Sequence, residues 1–277
     1  MSAFAVFGNP IRHSRSPEIY SIFAQEFGFF QLYTRILAFR VNFDQVLKDF
    51  FNFGGIGANV TMPFKERAFF ICDKLTERAS IAGSVNVIKK DIHGMLLGDN
   101  TDGVGLLGDL HRLQWLSNTP EKRTKILLLG AGGASRGVIF PLLQFGCQIE
   151  IINRTLSRAQ KIVDFYKHVG DISLAVLKDD DSNDVCEYDL IINATDSSWV
   201  YSQHPILPVR YITPLVACYD MSYQTGKNAT PFISWCQDHG ASYCSDGLGM
   251  LVRQAAYSFL FWHGVFPSVI SALNKLR

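Results

Sequence analysis

Short apolar runs alternate along the chain with longer stretches whose apolar positions recur at helical spacing. "FAVF" is followed by a helical pattern from Ser16 to Phe27, then by "LYTRILAF", a second helical pattern from Asn42 to Phe53, and "GIGANV". This alternation predicts an α/β unit with a mostly parallel sheet. Ser16 followed by Pro17 reads as a helix N-cap with proline in the first turn, where its missing N–H costs nothing. "VNVIKKDIHGMLLG" (85–98) predicts a hairpin turning near His93-Gly94, and "DNTDG" (99–103) breaks the pattern before another helix.

The pattern restarts after the polar stretch 114–124, "QWLSNTPEKRT". "KILLLGAGGASRGVIFPLLQFG" reads as strand, glycine turn and helix. "IEIINR", a helix from about Leu156, "YDLIINAT" (188–195) and "VACYDMSY" (216–223) continue a second βα series. "NATPFISWCQDHG" predicts a helix with Pro231 near its start, and "DGLGMLVRQAAYSFLFWHGVFP" a long one. The expected organisation is an α/β domain over 1–103, a Rossmann-type domain over 104–246, and C-terminal helices over 247–277 that return to the first domain. No internal repeat or low-complexity run interrupts it.

Composition narrows the partners. The 277 residues are 48% hydrophobic, enough for a large core, and carry a formal charge of +1, so no global field draws in nucleic acid or an anionic membrane surface. A small molecule is the expected partner, and the protein is expected to be cytoplasmic, as a monomer or homodimer. The six cysteines, Cys72, Cys147, Cys186, Cys218, Cys236 and Cys244, form no C-x-x-C pair and read as free thiols. The seven histidines show no metal-ligand spacing, and no metal is expected.

Two stretches carry candidate chemistry. In "LLLGAGGASRG" a strand runs into Gly130, Ala131, Gly132, Gly133 and Ala134 and then into a helix, the arrangement that lets backbone amides and a helix N-terminus approach a pyrophosphate. Ser135 stands where a third glycine would be. Asn153 lies twenty residues past Gly133, where an NAD site places a carboxylate against the ribose 2′-hydroxyl. A carboxylate there repels a 2′-phosphate; Asn153, Arg154, Thr155 and Arg158 instead offer donors and two positive charges, which favours NADP. In "GANVTMPFKER" (57–67), Asn59 and Thr61 end a strand and Lys65 lies near a helix start, an unfavourable place for an ordinary surface cation. Taken alone, Asp102 reads as an N-cap for a helix from Val104, and Asn86 as an amide on a strand.

"FGNPIRHSRSP", "GANVTMPFKE", "GSVN", "GDNTDGVGL", "GAGGASRG", "NRT", "INAT", "YDMSY" and "DGLGMLVRQAA" occur in this order over nearly the whole chain. Together they closely resemble the shikimate dehydrogenases of aromatic amino-acid biosynthesis. The resemblance implies NADPH-dependent reduction of 3-dehydroshikimate to shikimate in a cleft between two domains. It implies that Ser14 and Ser16, with Tyr223, bind the substrate carboxylate, and that Thr61, Asn86 and Gln254 bind ring hydroxyls. It puts Lys65 and Asp102 at the reacting carbon, leaving open which is the working base. Met221, Gly247 and Met250 match positions that line the nicotinamide, and Thr195 is expected to bind the cofactor. Physically, reduction of a ketone builds negative charge on oxygen, which a protonated lysine can both stabilise and neutralise. Gln254 lies four residues past Met250 on the edge of an apolar helix stripe, as a cleft wall requires.

The chain departs from the family pattern after "INAT", where "DSSWV" (196–200) brings Asp196 and Trp199, and at Ser222, where bulkier residues are common. Three competing readings are a quinate/shikimate dehydrogenase with relaxed cofactor use, a non-catalytic NADP-binding module, and an unrelated Rossmann enzyme of the methylene-tetrahydrofolate dehydrogenase type. The first is disfavoured by the missing acid at Asn153. A mere binding module has no use for Lys65 with Asp102, and the last lacks the S-x-S-P and "NVTMPFK" stretches.

Overall fold

The computed structural model describes residues 2–119, 121–177, 188–195, 207–224 and 228–276. In chain order the elements are β1 (Ser2–Gly8), α1 (Ser16–Glu26), β2 (Gln31–Leu37), α2 (Phe43–Asn52), β3 (Gly55–Val60), α3 (Lys65–Ile71), β4 (Lys74–Leu75), α4 (Glu77–Ala82), β5 (Val87–Lys90), β6 (Leu96–Asp99) and α5 (Asp102–Leu113). There follow β7 (Lys125–Leu129), α6 (Gly133–Phe145), β8 (Gln148–Ile152), α7 (Leu156–Tyr166), β9 (Ile172–Leu174), β10 (Leu190–Asn193), β11 (Ala217–Asp220), α8 (Pro231–Asp238), β12 (Tyr243–Ser245), α9 (Leu248–His263) and α10 (Val269–Leu276). The chain divides into two compact units. Unit 1 is Met1–Leu106 with Leu251–Arg277, and unit 2 is Leu107–Met250, so the divisions fall inside α5 and α9.

Unit 1 is built on a six-stranded sheet of order β2-β1-β3-β5-β6-β4. β1 pairs parallel with β2 and β3, and β4 with β6, while the β5–β6 hairpin is antiparallel within itself and to β3. Phe7, Phe43, Leu47, Val60, Phe64 and Ile88 form a core against one side of this sheet, with Phe43 and Phe64 stacked at 4.3 Å between ring centroids. On the opposite face, Trp262 of α9 packs 4.7 Å from Phe4 and donates its indole N–H to the Ile88 carbonyl at 3.0 Å, fastening α9 to the sheet.

Unit 2 has a second six-stranded sheet, order β12-β11-β10-β7-β8-β9, parallel throughout. Ile126, Leu127, Leu128 and Leu129 in β7 are fully buried, as are Leu190, Ile191 and Ile192 in β10, because central parallel strands are covered on both faces. The chain reverses its direction of winding between β7 and β10, and in such sheets ligands bind outside the carboxyl ends of the strands at that switch. Asp109, fully buried on α5, is paired to Arg112 at 2.7 Å and to the Tyr219 hydroxyl at 2.9 Å. No described helix is long and apolar enough to cross a membrane.

Three local readings are corrected. Ser16 is not a cap: α1 begins on it, the residue before the helix is Arg15, and no side chain caps this end. Ser16 lies instead within 3.1 Å of the Ser14 hydroxyl. Asn86 lies just before β5 rather than on a strand, at a bend where its side chain can be gripped by a neighbouring loop. Asp102 is the first residue of α5 rather than its cap; Asn100 accepts its backbone N–H at 3.1 Å, which leaves the carboxylate to side chains.

Candidate active site

Lys65 opens α3, so its amine starts near the positive end of a helix and needs a compensating anion. Asp102 provides it at 2.7 Å. The carboxylate side chain is only 6% exposed and the lysine 19%, so the pair is largely shielded from water and its attraction is stronger than at the surface. Asp102 Oδ2 accepts from Lys65 and Oδ1 accepts from Asn86 Nδ2 at 2.9 Å. An ammonium has three donors, and Asp102 takes one, which leaves two directed elsewhere.

The Asn86 amide can be oriented from its partners. Its oxygen accepts the Thr101 backbone N–H at 2.8 Å, and a backbone N–H can only donate. Nδ2 therefore faces Asp102, the Thr101 hydroxyl at 2.9 Å and Gln254 Oε1 at 3.1 Å. Two amide protons serve three acceptors, so this group can redistribute its bonds. Gln254 reaches the cluster because α9 comes very close to α5: a Cβ placed on Gly105 would lie 2.7 Å from the Gln254 Cβ and 2.9 Å from its backbone nitrogen. Only glycine fits there. Gln254 Nε2 donates to the Leu251 carbonyl at 2.8 Å, which turns its oxygen toward Asn86.

Thr61 follows β3 half-buried, and its hydroxyl has no bond among the described residues. Ser14 and Ser16 form a separate polar pair, held by the Ser16 N–H to Ser14 Oγ bond at 3.3 Å and by Arg35 Nε donating to the Ser14 carbonyl at 2.8 Å. They share no hydrogen bond with the Lys65, Asp102 and Asn86 set. Tyr223 belongs to unit 2 and follows β11.

Several polar groups in this region were not singled out from sequence. Tyr33 donates to Asn59 Oδ1 at 2.7 Å, Asn59 Nδ2 donates to the Asn86 carbonyl at 3.2 Å, and Thr101 and Ser258 lie fully buried between them. Ser258 had one available signal: it continues the four-residue spacing of Met250 and Gln254 on α9. Burial pushes the Tyr33 and Tyr20 phenols above their ordinary range, so both stay protonated, Tyr33 as the donor to Asn59.

In unit 2, Gly130 follows β7 with φ at +108°, and a Cβ there would meet Thr195 Cγ2 at 2.9 Å and the Ala194 carbonyl at 3.2 Å. At Gly132 a Cβ would meet nothing within 4 Å, so the loop backbone faces open space. Gly133 and Ala134 begin α6, whose first amides have no intrahelical acceptor. Ser135, fully buried, donates to the Gly130 carbonyl at 2.8 Å and ties the loop down where a third glycine would otherwise allow close packing. Asn153 Oδ1 accepts the Ala131 N–H at 3.2 Å and Nδ2 donates to the Thr155 carbonyl at 2.9 Å, joining the glycine loop to the turn after β8. Arg154 and Arg158 are exposed and form no ion pair among the described residues.

The far side of this site is equally ordered. Asn193, at the end of β10, accepts from Thr195 Oγ1 at 2.6 Å and donates to the buried Asp220 at 3.1 Å. Met221 N–H bonds the Asn193 carbonyl at 2.9 Å, and Gly247 N–H bonds the Ser222 carbonyl at 2.8 Å. Met250 is buried at the start of α9. These residues fit a dinucleotide: open amides for the pyrophosphate, unpaired guanidiniums for a ribose phosphate, and small or flexible side chains beyond β10 and β11. Asp196 and Trp199 lie outside the described residues. Among the described residues no group of His, Cys, Asp or Glu could hold a metal ion.

Comparisons with known proteins give the same assignment to both halves. Residues 6–88 match the shikimate dehydrogenase substrate binding domain, and residues 116–218 match the shikimate / quinate 5-dehydrogenase family. The chain is 49% identical over 289 residues to "Shikimate dehydrogenase (NADP(+))" of Blochmanniella pennsylvanica (strain BPEN), covering 100% of this chain and 98% of that protein. It is 47% identical to the protein of the same name from Blochmanniella floridana, with the same coverage. Among solved structures, shikimate dehydrogenase from Aquifex aeolicus superposes with a TM-score of 0.86 at 27% identity over 100% of this chain and 98% of the other. Shikimate 5-dehydrogenase from Thermus thermophilus, in complex with NADP(H) and shikimate, gives 0.80 at 27% identity over 100% of both. The chain belongs to the shikimate dehydrogenase family.

Proposed function

We propose that this protein catalyses the reversible NADP-dependent reduction of 3-dehydroshikimate to shikimate, within aromatic amino-acid biosynthesis. The observation that carries the reading is the Lys65–Asp102 pair at 2.7 Å, shielded from water and bordered by the Asn86 and Gln254 amides. When bound, the reduced dinucleotide supplies the hydride. Negative charge then grows on the carbonyl oxygen, and Lys65 meets it with one of its two uncommitted N–H groups and delivers the proton. Asp102 fixes the ammonium in place and accepts from the new hydroxyl. In the oxidising direction the hydroxyl proton returns to this pair.

Asn86, Gln254 and Thr61 present amide and hydroxyl groups suited to the ring hydroxyls, and Ser14 and Ser16, with Tyr223, present neutral donors to the carboxylate. In unit 2, the loop Gly130 to Ala134 holds the pyrophosphate, and Asn153, Arg154, Thr155 and Arg158 hold the 2′-phosphate. Thr195, Met221, Gly247 and Met250 line the nicotinamide end. Family relatives whose names carry NADP support the cofactor choice, as does the absence of a carboxylate at Asn153.

The test is a panel of shikimate and quinate against NADP⁺ and NAD⁺, run with the unsubstituted protein and Lys65→Ala. Shikimate with NADP⁺ gives the highest kcat/KM, and Lys65→Ala lowers turnover by about 10²–10⁴-fold with NADPH affinity unchanged. Wild-type turnover by Lys65→Ala would remove the role given to this amine. A preference for quinate with NAD⁺ would favour the broader quinate/shikimate activity.

A further inference from the structure

Ser258 lies one turn after Gln254 and is fully buried. Its hydroxyl has a single proton, which goes to the Gln254 main-chain carbonyl at 3.0 Å. Toward its other neighbours Ser258 Oγ is thus an acceptor. Asn59 Nδ2 lies at 3.2 Å and the Thr101 hydroxyl also at 3.2 Å. The remaining Asn59 bonds are fixed, since Nδ2 also donates to the Asn86 carbonyl and Oδ1 accepts from Tyr33. With its proton directed to Ser258, Thr101 Oγ1 is left as an acceptor for Asn86 Nδ2 at 2.9 Å. It then has no proton for Gln254 Oε1, which lies 3.5 Å away.

We propose that Ser258 is a positioning residue: by taking the Thr101 hydroxyl proton it keeps the Gln254 amide oxygen available to a hydroxyl of the substrate. The assignment of Gln254 to a ring hydroxyl comes from the proposed function, and the role of Ser258 rests on that reading. Without the serine oxygen, the Thr101 hydroxyl turns toward Asn86 Oδ1, 3.2 Å away, or toward Gln254 Oε1. Bonding of that amide to Thr101 then competes with bonding to substrate, while the Lys65–Asp102 pair stays as it is.

A double-mutant cycle tests this. Ser258→Ala is expected to raise the KM for shikimate about 10-fold, with kcat and the KM for NADP⁺ within about 2-fold of the unsubstituted enzyme. Thr101→Val removes the competing hydroxyl at nearly constant shape. In that background Ser258→Ala is expected to change the shikimate KM by less than about 2-fold. A merely structural serine would give the same factor in both backgrounds, and that result overturns the proposal, as does a wild-type KM for Ser258→Ala. If the alanine variant does not fold, Ser258→Cys, which fills the space with a weak acceptor, takes its place in the cycle. Failure of the unsubstituted protein to oxidise shikimate would refute the activity and the serine's role together, whereas an additive cycle refutes the serine's role alone.

Discussion

Arg154, on the turn after β8, and Arg158, in the first turn of α7, have no ionic partner among the described residues, a costless arrangement at a surface and a useful one beside a phosphate. Arg154→Ala is expected to weaken NADPH about 10- to 100-fold and NADH less than about 3-fold, by fluorescence titration of each nucleotide. Equal losses would show that the guanidinium does not meet the 2′-phosphate. At this scale the sequence was informative wherever a residue type violated its local expectation. Lys65 at a helix start and Asn153 in place of an acid are such cases. It was misleading where a site residue and an ordinary cap share the same local pattern. Ser16 and Asp102 both looked like caps, and what separates Asp102 from one is a partner 37 residues away. Thr101 and Tyr33 gave no signal of their own, and Ser258 only its four-residue spacing from Gln254, since a buried hydroxyl is distinguished by its neighbours in space and not by those in the chain.

The β7–α6 turn shows how an element carries its site. Three features converge at its first glycine: the positive φ of Gly130, the nearness of Thr195 after β10, and the Ser135 bond back to its carbonyl. Gly130→Ala is expected to cost about 1–3 kcal/mol of unit 2 stability in chemical denaturation, and to weaken NADPH binding in parallel, since the added carbon forces the loop away from the β10 end. Gly132→Ala, placed in open space, is expected to retain stability while losing cofactor affinity, because its methyl occupies the room that a pyrophosphate needs. Long strands and helices were legible from periodicity, as were the hairpin around Gly94 and the second βα series. β4, β9 and β12 were not, because two or three residues are too few to display an alternation. Their place is decided by the sheet edge they join.

Over the whole molecule, stability belongs to two units with separate cores, so denaturation should be followed with probes specific to each. His263 gives unit 1 a pH dependence. Burial, assisted by the charge of Lys89, lowers its proton affinity below the ordinary value, and its Nε2 lies 2.9 Å from Gln31 Oε1. In the unfolded chain this imidazole takes up a proton below about pH 6.5. Between that pH and the lower value in the fold, the unfolded state binds more protons, and stability therefore rises with pH across the window. The contribution is fully present above about pH 6.5 and is lost as the pH falls through the folded value. His263→Leu is expected to flatten the decline of unit 1 stability between about pH 7.5 and 5.5; an identical decline would assign the effect to other groups.

The division of unit 1 into Met1–Leu106 and Leu251–Arg277 has a consequence during synthesis. Unit 2 is continuous in the chain, whereas the first sheet obtains Trp262 against Phe4 and Gln254 against Asn86 only from residues that follow unit 2. The nucleotide-binding half can thus mature first. The half that carries Lys65 waits for a helix translated long after it, so a nascent chain can close the sheet of unit 2 before Gln254 is there to border Asn86, Asp102 and Lys65.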